Sequence, residues 1–330
     1  MDSRRRVIAV IALVPVLVAL TLWAFAWPAA RTAPHDLPLG VAGPPGAVAQ
    51  VEQRLTRQEG AFEIHRYADE AAARAAVEDR TVYGAVVADD RGGKLLTASA
   101  ASPVVAQLLQ QAVAAQGTAA GAPAQVVDVV PAPETDPRGA ALGASVLPLA
   151  LAGIAAGAVT TLLGLRGIRT VVALVGASAV AGLVAAAIAH SWLGTVVGNW
   201  WAVAGVFGLS VLAVGASVAG LAALLGQAGI GLGAAVMMLL GNPFSGASSA
   251  PEMLPQPAGA IGQWLPPGAG ASLLRSVSFF DGAAATGHAL ALAWWAGLGL
   301  GAVVLGNALR QRAAGDSPAP DRAPAPAPVA

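Results

Sequence analysis

Cysteine is absent from all 330 residues, which excludes disulfides, thiolate nucleophiles and cysteine metal ligands. Lysine occurs once, at Lys94; charged residues make up 11% of the chain and aromatics 5%. The formal net charge is zero, so no global field draws the chain toward nucleic acid. Charge is scarcest from Ala141 to Asn307, which holds only Arg166, Arg169, Glu252, Arg275 and Asp281. The four histidines, His35, His65, His190 and His288, have no metal-ligand spacing, so no metal site is expected. No G-x-x-x-x-G-K-[S/T] run occurs, so the chain is not expected to hydrolyse ATP itself. Gly229, Gly231 and Gly233 fall in an apolar helical stretch, not after a strand, and so do not read as a dinucleotide loop. Gly246 to Ala250 lacks the last glycine of G-x-S-x-G, and no strand precedes it. No catalytic or cofactor-binding set is therefore expected, and the chain does not read as an enzyme.

What the chain has in abundance is apolar sequence, 56% of its residues, in runs that suit a membrane. Arg4, Arg5 and Arg6 precede the first run, Val7 to Trp27. A helix over it would be about 31 Å long, enough to cross a hydrocarbon core of about 30 Å. Trp23 and Trp27 suit the far interface. The run is longer than a signal-peptide core, which favours an anchor over a cleaved leader.

Residues 28–140 differ in composition and hold most of the acidic side chains. They read as a soluble α/β domain outside the membrane, in the order β-α-β-α-β-β-α-β. The strands are Leu37–Val41, Phe62–Tyr67, Val82–Val87, Lys94–Ala98 and Gln125–Val130. Asp69 and Ser102 are expected helix caps, the helix after Ser102 is expected to end about Gln116, and Asp90–Gly93 reads as a turn. Residues 131–137 read as a linker.

Residues 141–240 are expected to supply spans two to five: Ala141–Leu165, Thr170–Ala189, Trp201–Leu225, and a short fifth segment from Ile230 after a Gly226–Gly229 turn. Residues 287–308 supply the sixth, and 309–330 a disordered cytoplasmic tail. With six spans, Arg4–Arg6, Arg166/Arg169 and Arg310/Arg312 share one side, as the positive-inside rule requires. Both termini are then cytoplasmic, and the chain is a multi-pass protein of the cell membrane whose first partner is the lipid bilayer. Gly153 and Gly157 form a small-xxx-small pair, read as helix packing within the chain or across a dimer.

Between the fifth and sixth spans lie residues 241–286, with six prolines in the stretch Gly241–Gly282. Proline is poorly tolerated in a helix interior, so this stretch is either a loop over the membrane surface or a re-entrant element. Arg275 and Asp281 flank Phe279 and Phe280; the plainer reading is an interfacial arginine and a helix cap at the water boundary, with Pro266-Pro267 at the surface. The alternative is an outer gate. The motifs Asn242-Pro243-Phe244-Ser245-Gly246, Met253-Leu254-Pro255, Leu265-Pro266-Pro267-Gly268-Ala269, Leu274-Arg275 and Phe279-Phe280-Asp281-Gly282 resemble the region before the last span of YhgE/Pip-type membrane proteins. That group is related to the membrane subunits of type-2 ABC exporters. The resemblance implies a permease-like subunit that dimerises, borrows ATP hydrolysis from a separate subunit through Arg166 and Arg169, and uses the 241–286 stretch as an outer, re-entrant gate. Two departures stand against it: no amphipathic helix precedes the first span, and the Arg166/Arg169 loop is short. The rival reading is a non-transporting receptor or secretion-associated scaffold that acts through residues 28–140.

Overall fold

A computed structural model describes residues 3–88, 93–120 and 125–315. Most of the Asp90–Gly93 turn, and the tail beyond 315, lie outside the described residues. Helix α1 covers Ser3–Ala30 and is exposed along most of its length. Next come β1 (Leu37–Ala42), α2 (Pro45–Leu55), β2 (Phe62–Tyr67), α3 (Glu70–Glu78), β3 (Gly84–Val87), β4 (Lys94–Thr97), α4 (Pro103–Ala120) and β5 (Gln125–Asp128). The strands form one sheet in the order β2-β1-β3-β4-β5, with only the β3–β4 pair antiparallel.

Local chemistry sets these boundaries. The Asp69 carboxylate accepts from the Ala72 N–H at 2.8 Å, and the Ser102 hydroxyl from the Val105 N–H at 3.2 Å. Each satisfies a first-turn donor that the helix cannot. Alternation in β4 sends Leu95 to one face of the sheet and Leu96 to the other. Glu52 and Arg66 pair across α2 and β2; the guanidinium's hydrogen bond holds the Glu52 carboxyl below its usual range.

The remaining helices are α5 (Ala140–Leu162), α6 (Ile168–Ala186, prolonged by a π-helical turn to Trp192), α7 (Trp200–Leu225), α8 (Gln227–Ala235, prolonged by a π-helical turn to Gly241), α9 (Ala258–Trp264), α10 (Pro266–Phe279) and α11 (Ala285–Gly315). Among the described residues, five helices are long and apolar enough to cross a membrane: Ser3–Ala30, Ala140–Leu162, Ile168–Trp192, Trp200–Leu225 and Ala285–Arg312. The protein is thus mostly helical and of the multi-pass membrane type. The expected fifth segment is a shorter apolar helix, Gln227–Gly241, about 22 Å long.

Three expectations need correcting. The turn expected over Gly226–Gly229 is a single residue, Gly226 at φ 69°, and α8 starts at Gln227. Glycine reverses the chain there without steric cost, so no longer turn is needed. Helix α4 runs to Ala120, beyond the expected end at Gln116. Residues 309–315, expected in the tail, continue α11; Arg310 donates to the Ala222 and Ala223 carbonyls at the end of α7, which holds that turn in place.

Helix α7 is the most buried of the long helices, packed by α5, α6, α8, α10 and α11. Small residues allow this. A Cβ on Gly153 would lie 2.6 Å from the Val214 Cβ, and one on Gly157 2.6 Å from the Gly215 carbonyl oxygen. The pair therefore serves packing within the chain. The Asp136 carboxylate joins the domain to the bundle by accepting from the N–H groups of Ala140, Ala141 and Leu142 at the start of α5. Gly157→Val is expected to destabilise the folded chain by about 1–3 kcal/mol through overpacking. Gly176→Ala, with open space around it, is expected not to. Thermal unfolding in detergent, read by circular dichroism, separates the two.

Candidate functional site

The site is built where the 241–286 stretch meets the α/β domain. The chain leaves α8 at Asn242, whose N–H is bonded to the Met237 carbonyl at 3.0 Å. It then runs irregularly to Ala250, which packs with Met253 against Leu37, Leu39 and Leu95 in one core of the domain. Irregular backbone in an apolar bundle needs donors for its carbonyls, and side chains supply them. The Ser245 hydroxyl donates to the Asn242 carbonyl at 2.7 Å, the Gln263 amide to the Ser245 carbonyl at 2.9 Å, and Arg275 to the Ala247 carbonyl.

Helices α9 and α10 then form a hairpin. Its tip lies at Trp264, whose carbonyl accepts from the Trp295 indole at 2.7 Å. Trp295 is ten residues into α11, about 15 Å along that helix. At the other end, Phe280 completes the domain's second core with Ala73, Val77, Val82 and Leu96, and Phe279 touches both that core and the bundle. The hairpin therefore reaches down from the domain and returns to it. Close approach requires glycine at two points: a Cβ on Gly262 would overlap the Phe244 carbonyl, and one on Gly268 the Gly262 carbonyl.

This corrects the plainer reading of the stretch. Pro266 and Pro267 are buried and occupy the first turn of α10, where a missing N–H costs nothing. Arg275 is 4% exposed, not interfacial. Asp281 is exposed, with φ 49°, in the turn before α11; the structure does not pair it with Arg275. Gly246, at φ 65°, bends the irregular run, and Pro255 accepts from the Ala258 N–H at the start of α9. Arg166, in the α5–α6 turn, and Arg169, in the first turn of α6, are exposed and lie far from all of these.

Around Arg275 the structure gathers residues that the sequence did not single out. Arg80, at the end of α3, donates to the Ser272 carbonyl at 3.0 Å and the Ser276 hydroxyl at 2.6 Å, and lies over the Phe280 ring. Its φ is 57°, a left-handed position usually taken by glycine; the side chain's bonds to α10 hold it there. The Tyr83 hydroxyl donates to Glu252 at 2.7 Å. The Glu252 and Met253 carbonyls accept from the His35 and Ala33 N–H groups, which ties the exit of α1 to the same point. Arg80, Tyr83 and Glu252 wall a pocket of about 150 Å³ with Gln263, Ser272 and His288. Arg80, Tyr83 and Glu252 keep partial exposure because each borders it.

Two guanidiniums and one carboxylate leave the cluster formally positive. Burial, opposed by the charges of Tyr83 and Glu252, pulls the Arg80 pKa below its ordinary value. Burial and then Glu252 push the Tyr83 hydroxyl well above its own. Glu252 accepts, Arg80 and Tyr83 donate, and the Ser272 hydroxyl is committed to Gln263 at 2.7 Å. The arrangement can hold a polar group, and it locks the domain to the hairpin. Among the described residues no group of His, Asp or Glu is placed to hold a metal ion. No family model, no curated protein and no solved structure matches the chain.

Tyr67 and Tyr83 are the only tyrosines, and burial raises both. A phenol raised in the folded state contributes stability below its unfolded value, about 10, that is lost as pH rises above it. Tyrosinate absorbance is expected to stay below half its maximum at pH 10 in the folded protein. Tyr83→Phe should remove the higher-pH step and soften the alkaline loss of stability. Ionisation of both phenols at pH 10 without unfolding would contradict this.

Proposed function

We propose that the chain is a permease-like membrane subunit of the type-2 ABC exporter kind, moving a substrate outward with ATP hydrolysed by a separate subunit. On this reading residues 28–140 are extracytoplasmic. The short helix α8 and the irregular run after it complete a sixth crossing, and α9–α10 form a re-entrant outer gate. One observation carries the reading: the stretch from Ala250 through the hairpin to Phe280 shares two hydrophobic cores with the α/β domain, and Arg80 bonds it to α10, so neither moves without the other. A gate of that build transmits a shift of the bundle to the outer surface. The likeness of the Asn242–Gly246, Leu265–Ala269 and Phe279–Gly282 motifs to YhgE/Pip-type proteins supports it. So does the gathering of Arg166, Arg169 and Arg310 at the end remote from the sheet, which the positive-inside rule assigns to the cytoplasm. A homodimer would supply the second half of a pathway.

A second reading, a receptor or scaffold acting through residues 28–140, is favoured by the brevity of the α5–α6 turn, which runs only from Leu163 to Gly167. So short a turn offers an ATPase little to grip. Affinity purification from native membranes after mild crosslinking distinguishes the two. The exporter reading expects a stoichiometric ATPase subunit that is lost from an Arg166→Ala/Arg169→Ala variant. Recovery of envelope proteins alone, held through residues 28–140, would sink it.

A further inference from the structure

The end of the bundle remote from the sheet carries a cleft, apart from the outer gate and bordered by Arg166 and Arg169. The α5–α6 turn forms one wall and the end of α11 the other. Its inner part, about 100 Å³, is bordered by Thr161, Thr170, Ala222 and Val303. Its outer part, about 470 Å³, is bordered by Arg166, Arg169, Arg310 and Gln311. Gly164, Arg166, Gly167 and Asn307 line both parts, so the two are continuous.

Every charged side chain on these walls is a guanidinium. The only carboxylates between Ala141 and Asn307 are Glu252 and Asp281, and both lie at the opposite end, by the junction pocket and before α11. Arg166, Arg169 and Arg310 form no ion pair among the described residues. Arg310 is steadied by the α7 carbonyls of Ala222 and Ala223 at 3.3 and 3.0 Å, at a helix end whose dipole favours a cation.

The backbone adds to the charge. Helix α6 starts in this cleft with Gly167 at its cap, no capping side chain and no acidic residue in its first turn. The Thr170 N–H bonds the Gly167 carbonyl at 3.1 Å; the N–H groups of Ile168 and Arg169 ahead of it lie at the positive end of the dipole, where an anion is favoured. Thr170, in the same turn, is 4% exposed, and its hydroxyl has no hydrogen-bond partner among the described residues. A buried hydroxyl normally has one, and this one borders the inner part of the cleft.

We infer that the cleft binds the phosphate of an anionic phospholipid. Inorganic phosphate shares the headgroup's chemistry, but the flanking side chains point to a lipid. Leu162, Leu163 and Ile168 are 70%, 71% and 69% exposed beside the arginines, where they meet acyl chains while the guanidiniums and the α6 N-terminus hold the phosphate. Basic recesses between membrane helices suit such headgroups. The inference rests on the cleft alone and holds whether or not the chain exports anything.

The test uses the full chain, purified in neutral detergent and stripped of lipid. It is titrated with phosphatidylglycerol, phosphatidylcholine or inorganic phosphate, and bound molecules are counted by native mass spectrometry. One phosphatidylglycerol per chain is expected, held at least tenfold more tightly than phosphatidylcholine. Loss of two guanidiniums in Arg166→Gln/Arg169→Gln should weaken it on the order of 30-fold. Should that variant fail to fold, Thr170→Val keeps the shape and charge and is expected to weaken binding at least threefold. Weakening of less than threefold in a folded variant, or equal retention of phosphatidylcholine, overturns the inference. Displacement of the lipid by equimolar inorganic phosphate overturns the lipid as the source.

Discussion

A carbonyl that leaves a helix inside an apolar bundle must find a donor, and that constraint shapes the part of the molecule that follows α8. Hydrocarbon offers no hydrogen bonds, so each unpaired group costs several kcal/mol. The chain breaks its helical ladder at Asn242 and does not resume a long helix until Ala285. Ser245 within the run supplies one donor, and the hairpin that the break creates supplies two more: Gln263 from α9 and Arg275 from α10. Break and hairpin are therefore one structure. The prolines close off regular alternatives, the glycines let α9 lie against the broken run, and Arg275 is buried because a carbonyl there requires it.

A buried guanidinium imposes demands of its own. Its charge is stranded unless other polar groups surround it, and here the 241–286 stretch and the α/β domain provide them together. Glu252 of the stretch supplies the negative charge and Tyr83 of the domain fixes Glu252, while Arg80, a second cation, spans the gap to α10. The domain is thus part of the solution to a problem that arises within the bundle. The same logic explains why Phe280 and Met253 finish its two cores: a surface already committed to polar contacts with the hairpin is also the place where apolar area is most readily buried.

The α/β domain was legible because its signals are local. Asp69 and Ser102 announce their helices, and strand alternation is visible in Phe62–Tyr67. The long helices were legible from run length, though the shortness of α8 left the number of crossings open. The junction pocket was not legible, since Arg80, Tyr83, Glu252 and Arg275 come from separate parts of the chain, and only the tertiary fold brings them together. Arg80 looks like an ordinary basic residue after a helix; nothing nearby in sequence reveals its left-handed backbone. One signal was present and misread. The rule that places proline in a first helical turn, which locates α4 at Pro103, also locates α10 at Pro266. The weight given to proline as a surface marker hid a buried helix.

The sharing of cores also orders events in time. The sheet is complete once β5 has been made, but Phe280 is added some 150 residues after Asp128. At about 5–20 residues per second the ribosome needs on the order of ten seconds to close that interval. Throughout it, the domain presents the unfilled places of Met253 and Phe280 as exposed apolar surface. The nascent chain therefore has a window of stickiness set by gene order, and it closes only when the hairpin seats.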